Sequence, residues 1–305
     1  MKIGLIGVGN IGLPVCQHFI KHGHVVYVYD IAPAAVTRAV DSGAHATEAI
    51  AQVAASADIV FTCLPGPQEV ELAIFGPSGL LSAAQPALTI VDLTTNFPDA
   101  VKSVADRLMA RGIPMLECPV GNGVVGAREG RSSVICGGDP QVFERVKPLL
   151  ECFATTIHHV GPIGNASIVK SIDILIAGVN LAVACEGFML GVRAGIDPDL
   201  LFDVISTNSG SSVQLKRRMS RKILAGDFSP EGSTDLALKD VQVFLELAER
   251  TSTPVRYGSL LHEQIMSAVA KGWGKEDWAV IMRLLESVTG NEVRSPRASL
   301  ARSGA

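Results

Sequence analysis

The sequence predicts an α/β protein, with a doubly wound parallel sheet in its first half and an all-α helical domain in its second, joined by a long interdomain helix. Three observations carry that reading. Short, nearly continuous hydrophobic runs alternate with helical patterns up to about residue 162. Beyond that point the short runs stop and only long helical patterns follow. At the junction, "GNASIVKSIDILIAGVNLAVAC" begins a helical pattern spanning 164–193. Strands that read as continuous hydrophobic runs are those covered on both faces, and strand–helix alternation with short loops builds a doubly wound sheet.

Taken in order, the expected strands are 2–8 (KIGLIGV), 24–30 (HVVYVYD), 58–64 (DIVFTCL), 88–94 (LTIVDLT), 114–120 (PMLECPV) and 132–138 (SSVICGG). Helices fall between them, for example Ile11 to His22 and Pro98 to Arg111. The second half is expected to hold helices at 164–193, 198–206, 212–224, 234–250, 257–271 and 275–289. The first of these far exceeds the average of about 11–12 residues, so it is expected to leave one domain and form the spine of the next. The expected domains are 1–162 for dinucleotide binding and 163–290 for substrate and dimer contacts. Residues 291–305 are expected to be a flexible tail, because "RSPRASLARSGA" offers few large apolar groups.

At 305 residues the chain can bury two substantial cores. A net charge of −4, with no basic block, gives no reason to expect nucleic acid as a partner. The six cysteines are scattered without metal-ligand spacing, and His18, His22 and His24 straddle a turn, so no metal is expected. The chain opens on a strand with no charged n-region and h-region before it, which points to a reducing cytoplasm. No membrane span is expected either: only twelve uncharged residues separate Asp173 from Glu186, against the roughly 20 that a span needs.

The most specific local motif is Gly7-Val8-Gly9-Asn10-Ile11-Gly12, directly after a strand and directly before an amphipathic helix. Gly7 permits the tight turn, Gly9 lets the backbone approach a pyrophosphate, and Gly12 lets helix and strand pack closely. The phosphates would lie against the helix N-terminus, whose free N–H groups and dipole favour an anion. Asp30 ends the second strand, eighteen residues beyond Gly12. A carboxylate there accepts from ribose hydroxyls and repels a 2′-phosphate, and Ile31-Ala32-Pro33 supplies no arginine to bind one. NAD is therefore expected in preference to NADP. Asp30 could equally cap the helix that begins in "APAAVTRAV", a role compatible with the first.

Together with "CLPGPQEV" (63–70), "DLTTNFP" (92–98), "CPVGNGVVGAREG" (118–130), "GNASIVK" (164–170) and "LALKD" (236–240), this motif forms an ordered set. The set resembles the β-hydroxyacid dehydrogenase family, which includes 3-hydroxyisobutyrate and tartronate semialdehyde dehydrogenases and belongs with 6-phosphogluconate dehydrogenase. The likeness runs from Gly7 to about Glu286. It implies a Rossmann domain, an all-helical domain that often dimerises, and an active site in the cleft between them, so a homodimer or homotetramer is expected. It also implies that Leu64 and Pro65 line the cofactor, that Thr95 lies near the nicotinamide, and that Lys239 closes over cofactor or substrate. Lys170 matches the family's catalytic lysine. The chemistry suits it, because oxidising an alcohol needs the hydroxyl proton removed as the hydride leaves. An apolar cleft beside a cationic nicotinamide disfavours the ammonium form, leaving the amine available as a base. The alternative is a structural Lys170–Asp173 pair at (i, i+3), worth about 0.2–0.5 kcal/mol on a helix surface.

Three departures from the family pattern bear on substrate. Ser-Gly-Gly after "PV" is replaced by Gly121-Asn122-Gly123, which removes a hydroxyl that would bind the substrate carboxylate and leaves Asn122 and backbone N–H groups to serve. Asp173 and Ile174 stand where Asn-Asn is common, so Asp173 offers a carboxylate to an amino or other cationic group. The aromatic that often precedes the Lys-Asp stretch is absent around Gly232-Ser233. Each missing polar contact can alter discrimination by one to several kcal/mol. The expected function is hydride transfer between NAD and the hydroxyl-bearing carbon of a small 3-hydroxy acid or related alcohol. Imine reduction and a catalytically silent dinucleotide-binding module are the alternatives.

Overall fold

The computed structural model describes residues 1–84 and 88–297. Its strands are β1 (Lys2–Ile6), β2 (Val25–Tyr29), β3 (His45–Ala46), β4 (Ile59–Thr62), β5 (Thr89–Asp92), β6 (Met115–Glu117), β7 (Val120–Gly121), β8 (Ser132–Gly138) and β9 (Ala154–His159). They form one sheet in the order β3-β2-β1-β4-β5-β6-β8-β7, with β9 paired to β8. Neighbours from β3 through β6 are parallel, whereas β8 runs antiparallel to both β6 and β7.

The helices of this half are α1 (Gly12–Lys21), α2 (Pro33–Asp41), α3 (Ile50–Ser56), α4 (Pro67–Phe75), α5 (Pro98–Met109), α6 (Gly123–Arg128) and α7 (Pro140–Leu150). Two apolar cores show the double winding. One joins Val26, Val28, Phe61 and Leu116 of the sheet to Phe19 of α1 and Leu150 of α7. The other joins Ile6, Val60 and Ile90 to Val53 of α3, Ile74 of α4 and Leu108 of α5. At the centre of the first, the Phe19 ring lies 5.0 Å from Phe61 and 5.7 Å, edge-on, from Phe153. Strand residues are thus buried on both faces, which is why they read as unbroken hydrophobic runs.

The structure corrects one expected strand and adds two that were not expected, β3 and β9. The run 114–120 is not one strand: β6 stops at Glu117 and β7 starts at Val120, with Pro119 between them. Proline cannot donate to a ladder, and the strand breaks where it falls. β9, "ATTIHH", went unpredicted because Thr155, Thr156 and His158 face solvent and leave no continuous apolar run.

The second half is helical: α8 (Asn165–Arg193), α9 (Pro198–Ile205), a π-helical segment (Leu215–Leu224), α10 (Thr234–Arg250), α11 (Arg256–Ala270), a short 3₁₀ turn (Trp278–Val280) and α12 (Ile281–Thr289). The described chain divides into two compact units, Met1–Lys170 and Ser171 onward, so the boundary falls within α8. The core of the second unit gathers Leu181 and Phe188 of α8 with Met219, Val241, Ile265, Trp278 and Met282. By length and composition α8 is apolar enough to cross a membrane, which counting charges from Asp173 to Glu186 did not reveal; it nevertheless commits Leu181, Cys185, Phe188 and Met189 to this protein core. The stretch expected to be flexible begins by docking. Val293 is fully buried, Ser295 donates its N–H to the Leu224 carbonyl at 2.9 Å, and its hydroxyl to Asp199 Oδ2 at 2.9 Å. Residues 298–305 of that expectation lie outside the described residues.

Candidate active site

The carboxyl ends of β2, β1, β4 and β5 lie side by side in the sheet, and the residues singled out by the glycine motif and its companions follow directly from them. In an open α/β sheet this edge is where ligands bind. Gly7 has φ +89°, and a Cβ on it would sit 2.3 Å from the Cys63 carbonyl oxygen. A Cβ on Gly12 would sit 2.0 Å from the Gly7 oxygen, whereas one on Gly9 would meet nothing within 4 Å. Two of the glycines therefore close the turn, and the third leaves an open face for a bulky anion. Helix α1 starts at Gly12, and Ile11 provides no side-chain cap. Asn10, exposed, and Ile11, half-buried, complete the loop. The cradle fits a dinucleotide pyrophosphate.

Asp30 organises this loop from the end of β2. Its Oδ2 accepts the Val8 N–H at 2.8 Å, and its Oδ1 accepts the Ala32 N–H at 2.9 Å. The carboxylate thus ties the glycine turn to the start of α2, and each oxygen keeps a lone pair for a ribose hydroxyl. It is not the N-cap of α2; Ala32 holds that position. Ile31 beside it is 90% exposed, so no cation stands in that place.

On the next loops, Leu64 is half-buried and Pro65 exposed, and the Leu64 N–H donates to Thr94 Oγ1 at 3.1 Å. Thr95 follows, half-buried. Beneath them Asp92 is completely buried: Oδ1 accepts from Thr62 Oγ1 at 2.8 Å and the Thr94 N–H at 3.0 Å, and Oδ2 accepts from Asn96 Nδ2 at 3.2 Å. Burial lifts the Asp92 carboxyl above its ordinary range, against those hydrogen bonds. Burial, then the carboxylates of Asp92 and Asp30, push the Cys63 thiol up to about 12, so it stays a neutral thiol in this loop.

Gly121, Asn122 and Gly123 form the turn from β7 into α6. Asn122 has φ +66°, a left-handed conformation that asparagine tolerates better than other side chains. Its Nδ2 donates to the Arg131 carbonyl at 3.0 Å, and a Cβ on Gly126 would sit 2.5 Å from Asn122 Cβ. The Asn122 amide expected to reach substrate thus also spends one N–H on closing its own turn. Gly121 is buried opposite Ser133, and a Cβ there would meet Ser133 Cβ at 3.3 Å, so the absent serine matches a tight place.

Lys170 is 8% exposed, in the second turn of α8, within the unit that also holds the glycine loop. Sequence reasoning missed what holds that helix start. Glu117, 1% exposed at the end of β6, accepts the N–H groups of Gly164 and Ala166 on Oε1, the latter at 3.0 Å. Its Oε2 accepts the Ser167 N–H at 3.1 Å and the Ser167 hydroxyl at 2.5 Å. Burial raises the Glu117 carboxyl, against the same four bonds. A glutamate in the apolar run "PMLECPV" was the signal that could have found it. The remaining expected residues belong to the second unit: Asp173 is exposed and Ile174 half-buried on α8, and Lys239 is half-buried on α10 with its Nζ 3.1 Å from Asp240 Oδ1. No cluster of three or more potential metal ligands occurs among the described residues.

Two family models match the chain: the NAD binding domain of 6-phosphogluconate dehydrogenase over residues 2–161, and the NAD-binding domain of NADP-dependent 3-hydroxyisobutyrate dehydrogenase over 164–285. The chain is 33% identical to the 2-(hydroxymethyl)glutarate dehydrogenase of Eubacterium barkeri, an alignment covering 96% of this chain and 97% of the relative. It superposes on the crystal structure of 3-hydroxyisobutyrate dehydrogenase from Salmonella typhimurium with a TM-score of 0.86 and 27% identity, covering 93% and 99% of the two chains. A protein named Psf3, in complex with NADP+ and 2-OPP, gives a TM-score of 0.86 and 25% identity over 93% of this chain and 99% of its own.

Proposed function

The chain belongs to the β-hydroxyacid dehydrogenase family, an oxidoreductase built on NAD(P)-binding domains, and from that premise we propose an NAD-dependent dehydrogenase acting on the CH–OH group of a small 3-hydroxy carboxylate. The observation that carries the reading is Lys170: a nearly buried amine on a rigid helix, in the same unit as a glycine cradle that fits a pyrophosphate.

Bound NAD supplies the hydride acceptor. The chain's own residues do the rest. The Gly7–Gly12 turn and the start of α1 hold the phosphates, and Asp30 takes the adenosine ribose hydroxyls while opposing a 2′-phosphate. That carboxylate, with exposed Ile31 next to it, favours NAD even though a similar protein holds NADP+. Leu64, Pro65 and Thr95 line the cofactor on the neighbouring loops. Lys170 Nζ takes the hydroxyl proton as the carbon–oxygen bond becomes a carbonyl, and returns it when the reaction runs backward. Backbone N–H groups of the Gly121–Gly123 turn meet the substrate carboxylate in place of a serine. Asp173 and Ile174 set what else the substrate carries, and Lys239 closes on the cofactor or substrate. The working form is a homodimer or homotetramer, supported by an apolar stripe on α8.

Reduced-nicotinamide absorbance with 3-hydroxyisobutyrate and 2-(hydroxymethyl)glutarate tests the reading, comparing NAD with NADP and wild type with Lys170→Ala. Loss of the general base is expected to lower kcat by about 10²–10⁴-fold, with NAD the better cofactor. Equal rates for the two proteins would refute the assigned base.

A further inference from the structure

We propose that Glu117 is the positioning residue for Lys170: from the end of β6 its carboxylate fixes the first turn of α8 and so sets where the lysine amine stands. This deepens the reading above and rests on Lys170 being the acid/base.

The first N–H groups of a helix have no partner within it. In α8 they are not left to water. Glu117 collects the N–H groups of Gly164, Ala166 and Ser167 together with the Ser167 hydroxyl, four donors on one carboxylate. The carboxyl group faces the positive end of the helix, where the dipole favours an acceptor. Every element of the clamp is buried: Glu117 and Ser167 are each 1% exposed and Ala166 is fully covered.

The surroundings are cut to fit this carboxylate. A Cβ on Gly137, the residue opposite Glu117 on β8, would lie 2.4 Å from Oε1. Gly164, with φ +98°, turns its N–H inward just before the helix. The Asn165 Nδ2 donates to the Val160 carbonyl at 2.8 Å and anchors the same entry from the other side. Lys170 is four residues after Ala166 and three after Ser167, so it stands one turn above the clamped residues, on their face of the helix. Rotation of that first turn about the helix axis would swing the amine. A carboxylate gripping donors on both of its oxygens resists such rotation in a way that a single capping bond would not. Position matters to this degree because a misplacement of about 1 Å can cost a reaction about 100-fold.

Glu117→Gln keeps the size of the side chain but turns one acceptor oxygen into a donor, which then meets the Ser167 N–H. Steady-state kinetics with NAD and 3-hydroxyisobutyrate are expected to show kcat lower by about 10–100-fold, with KM and the NAD dissociation constant within about threefold of wild type. In the Lys170→Ala background the same change is expected to lower kcat by less than about twofold, because coupled residues are non-additive. Losses that multiply across the two sites would overturn the proposal, since Glu117 would then act through something other than Lys170. If Glu117→Gln does not fold, Ser167→Ala removes one of the four bonds; a kcat loss of about two- to fivefold that vanishes in the Lys170→Ala background supports the proposal, and no loss overturns it. Should Lys170→Ala retain the wild-type rate, the acid/base reading falls by itself. Positioning is then decided by NMR of ¹³C-dimethylated lysines, with the Lys170 signal identified by its absence in Lys170→Ala. Movement of that signal in Glu117→Gln, but not in the surface variant Glu69→Gln, supports the clamp; an unmoved signal sinks it.

Discussion

Asp92 shows how one residue supports the site without facing a ligand. It satisfies Thr62 Oγ1, the Thr94 N–H and Asn96 Nδ2, and so locks the ends of β4 and β5 together under the Leu64 and Thr95 loops. Asn96 Oδ1 is buried with no partner. This makes Asp92→Asn an informative change. The new amide keeps Oδ1 for Thr62 and Thr94, and its NH₂ is met by Asn96 after an amide flip that gives the orphan oxygen a donor. The cost should be under about 1 kcal/mol, whereas Asp92→Ala strands several buried donors and should cost about 3 kcal/mol or more. The pH dependence has a definite sign. Burial raises the folded-state Asp92 carboxyl above its ordinary value of 3.8. Its stability contribution is thus fully present below 3.8 and is lost as pH rises through the raised folded value, because there the native state binds more protons than the unfolded chain. Asp92→Asn lacks that loss. Thermal melts should show the variant gaining on wild type as pH is raised from about 4, and a difference constant with pH would contradict the assignment. From sequence, "DLTTNFP" was legible as the end of a strand and, through the family resemblance, as the stretch that carries Thr95. Asp92 as its buried support was not, because the pattern alone does not reveal which carboxylate turns inward.

Among the elements, the π-helical segment Leu215–Leu224 departs most from its expectation as an ordinary helix over 212–224. In its sequence "LKRRMSRKIL", Arg218 and Lys222, one turn apart, both point inward and are buried. Arg218 donates twice to Asp277, at 2.6 and 2.8 Å, and lies 4.9 Å from the Trp278 ring centroid. Asp277 also accepts the N–H groups of Glu231, Gly232 and Ala279. A Cβ on Gly232, where the aromatic expected from the family is missing, would lie 3.4 Å from Arg218 Nη2, so the departure sits beside this ion pair. Removing one partner of a buried pair leaves the other charge uncompensated. Arg218→Met should therefore destabilise by about 3–5 kcal/mol, read as a lowered midpoint in urea with an unchanged slope; a loss below about 1 kcal/mol would show the pair to be dispensable. Elements with a clean pattern were legible: 234–250 was expected, and α10 spans Thr234–Arg250. The misreadings fell where one residue overrides a pattern, as Pro119 does between β6 and β7, or where a strand such as β9 shows half its residues to water.

The whole molecule presents one feature that a single chain does not explain. Along α8, Val169, Ile172, Ile176, Val183 and Leu190 are 40, 40, 56, 59 and 72% exposed. Their spacing of three, four, seven and seven residues repeats as a heptad and places all five on one stripe. Scattered exposed aliphatics are ordinary, but a continuous row along a helix marks a surface built to be covered. Leu181, Cys185 and Phe188 of the same helix are already committed to the core of the helical unit, so among the described residues the helix has apolar side chains on two sides and the helical unit's core on one. That accounts for a composition apolar enough for a membrane in a helix that also carries Lys170, Asp173 and Glu186. In the homodimer proposed above, a second copy of the chain would cover the stripe, because closed two-fold pairing presents the same surface twice. Burying each Ile or Val on both partners contributes about 1.5–3 kcal/mol of transfer free energy, and placing carboxylates there reverses the sign. Ile176→Asp with Val183→Asp should convert the protein from a multiple of 32.0 kDa to a 32.0 kDa species in sedimentation equilibrium, while NAD still binds through the glycine loop. Wild-type protein that sediments as a single 32.0 kDa species would sink the assignment, and the stripe would then need another partner.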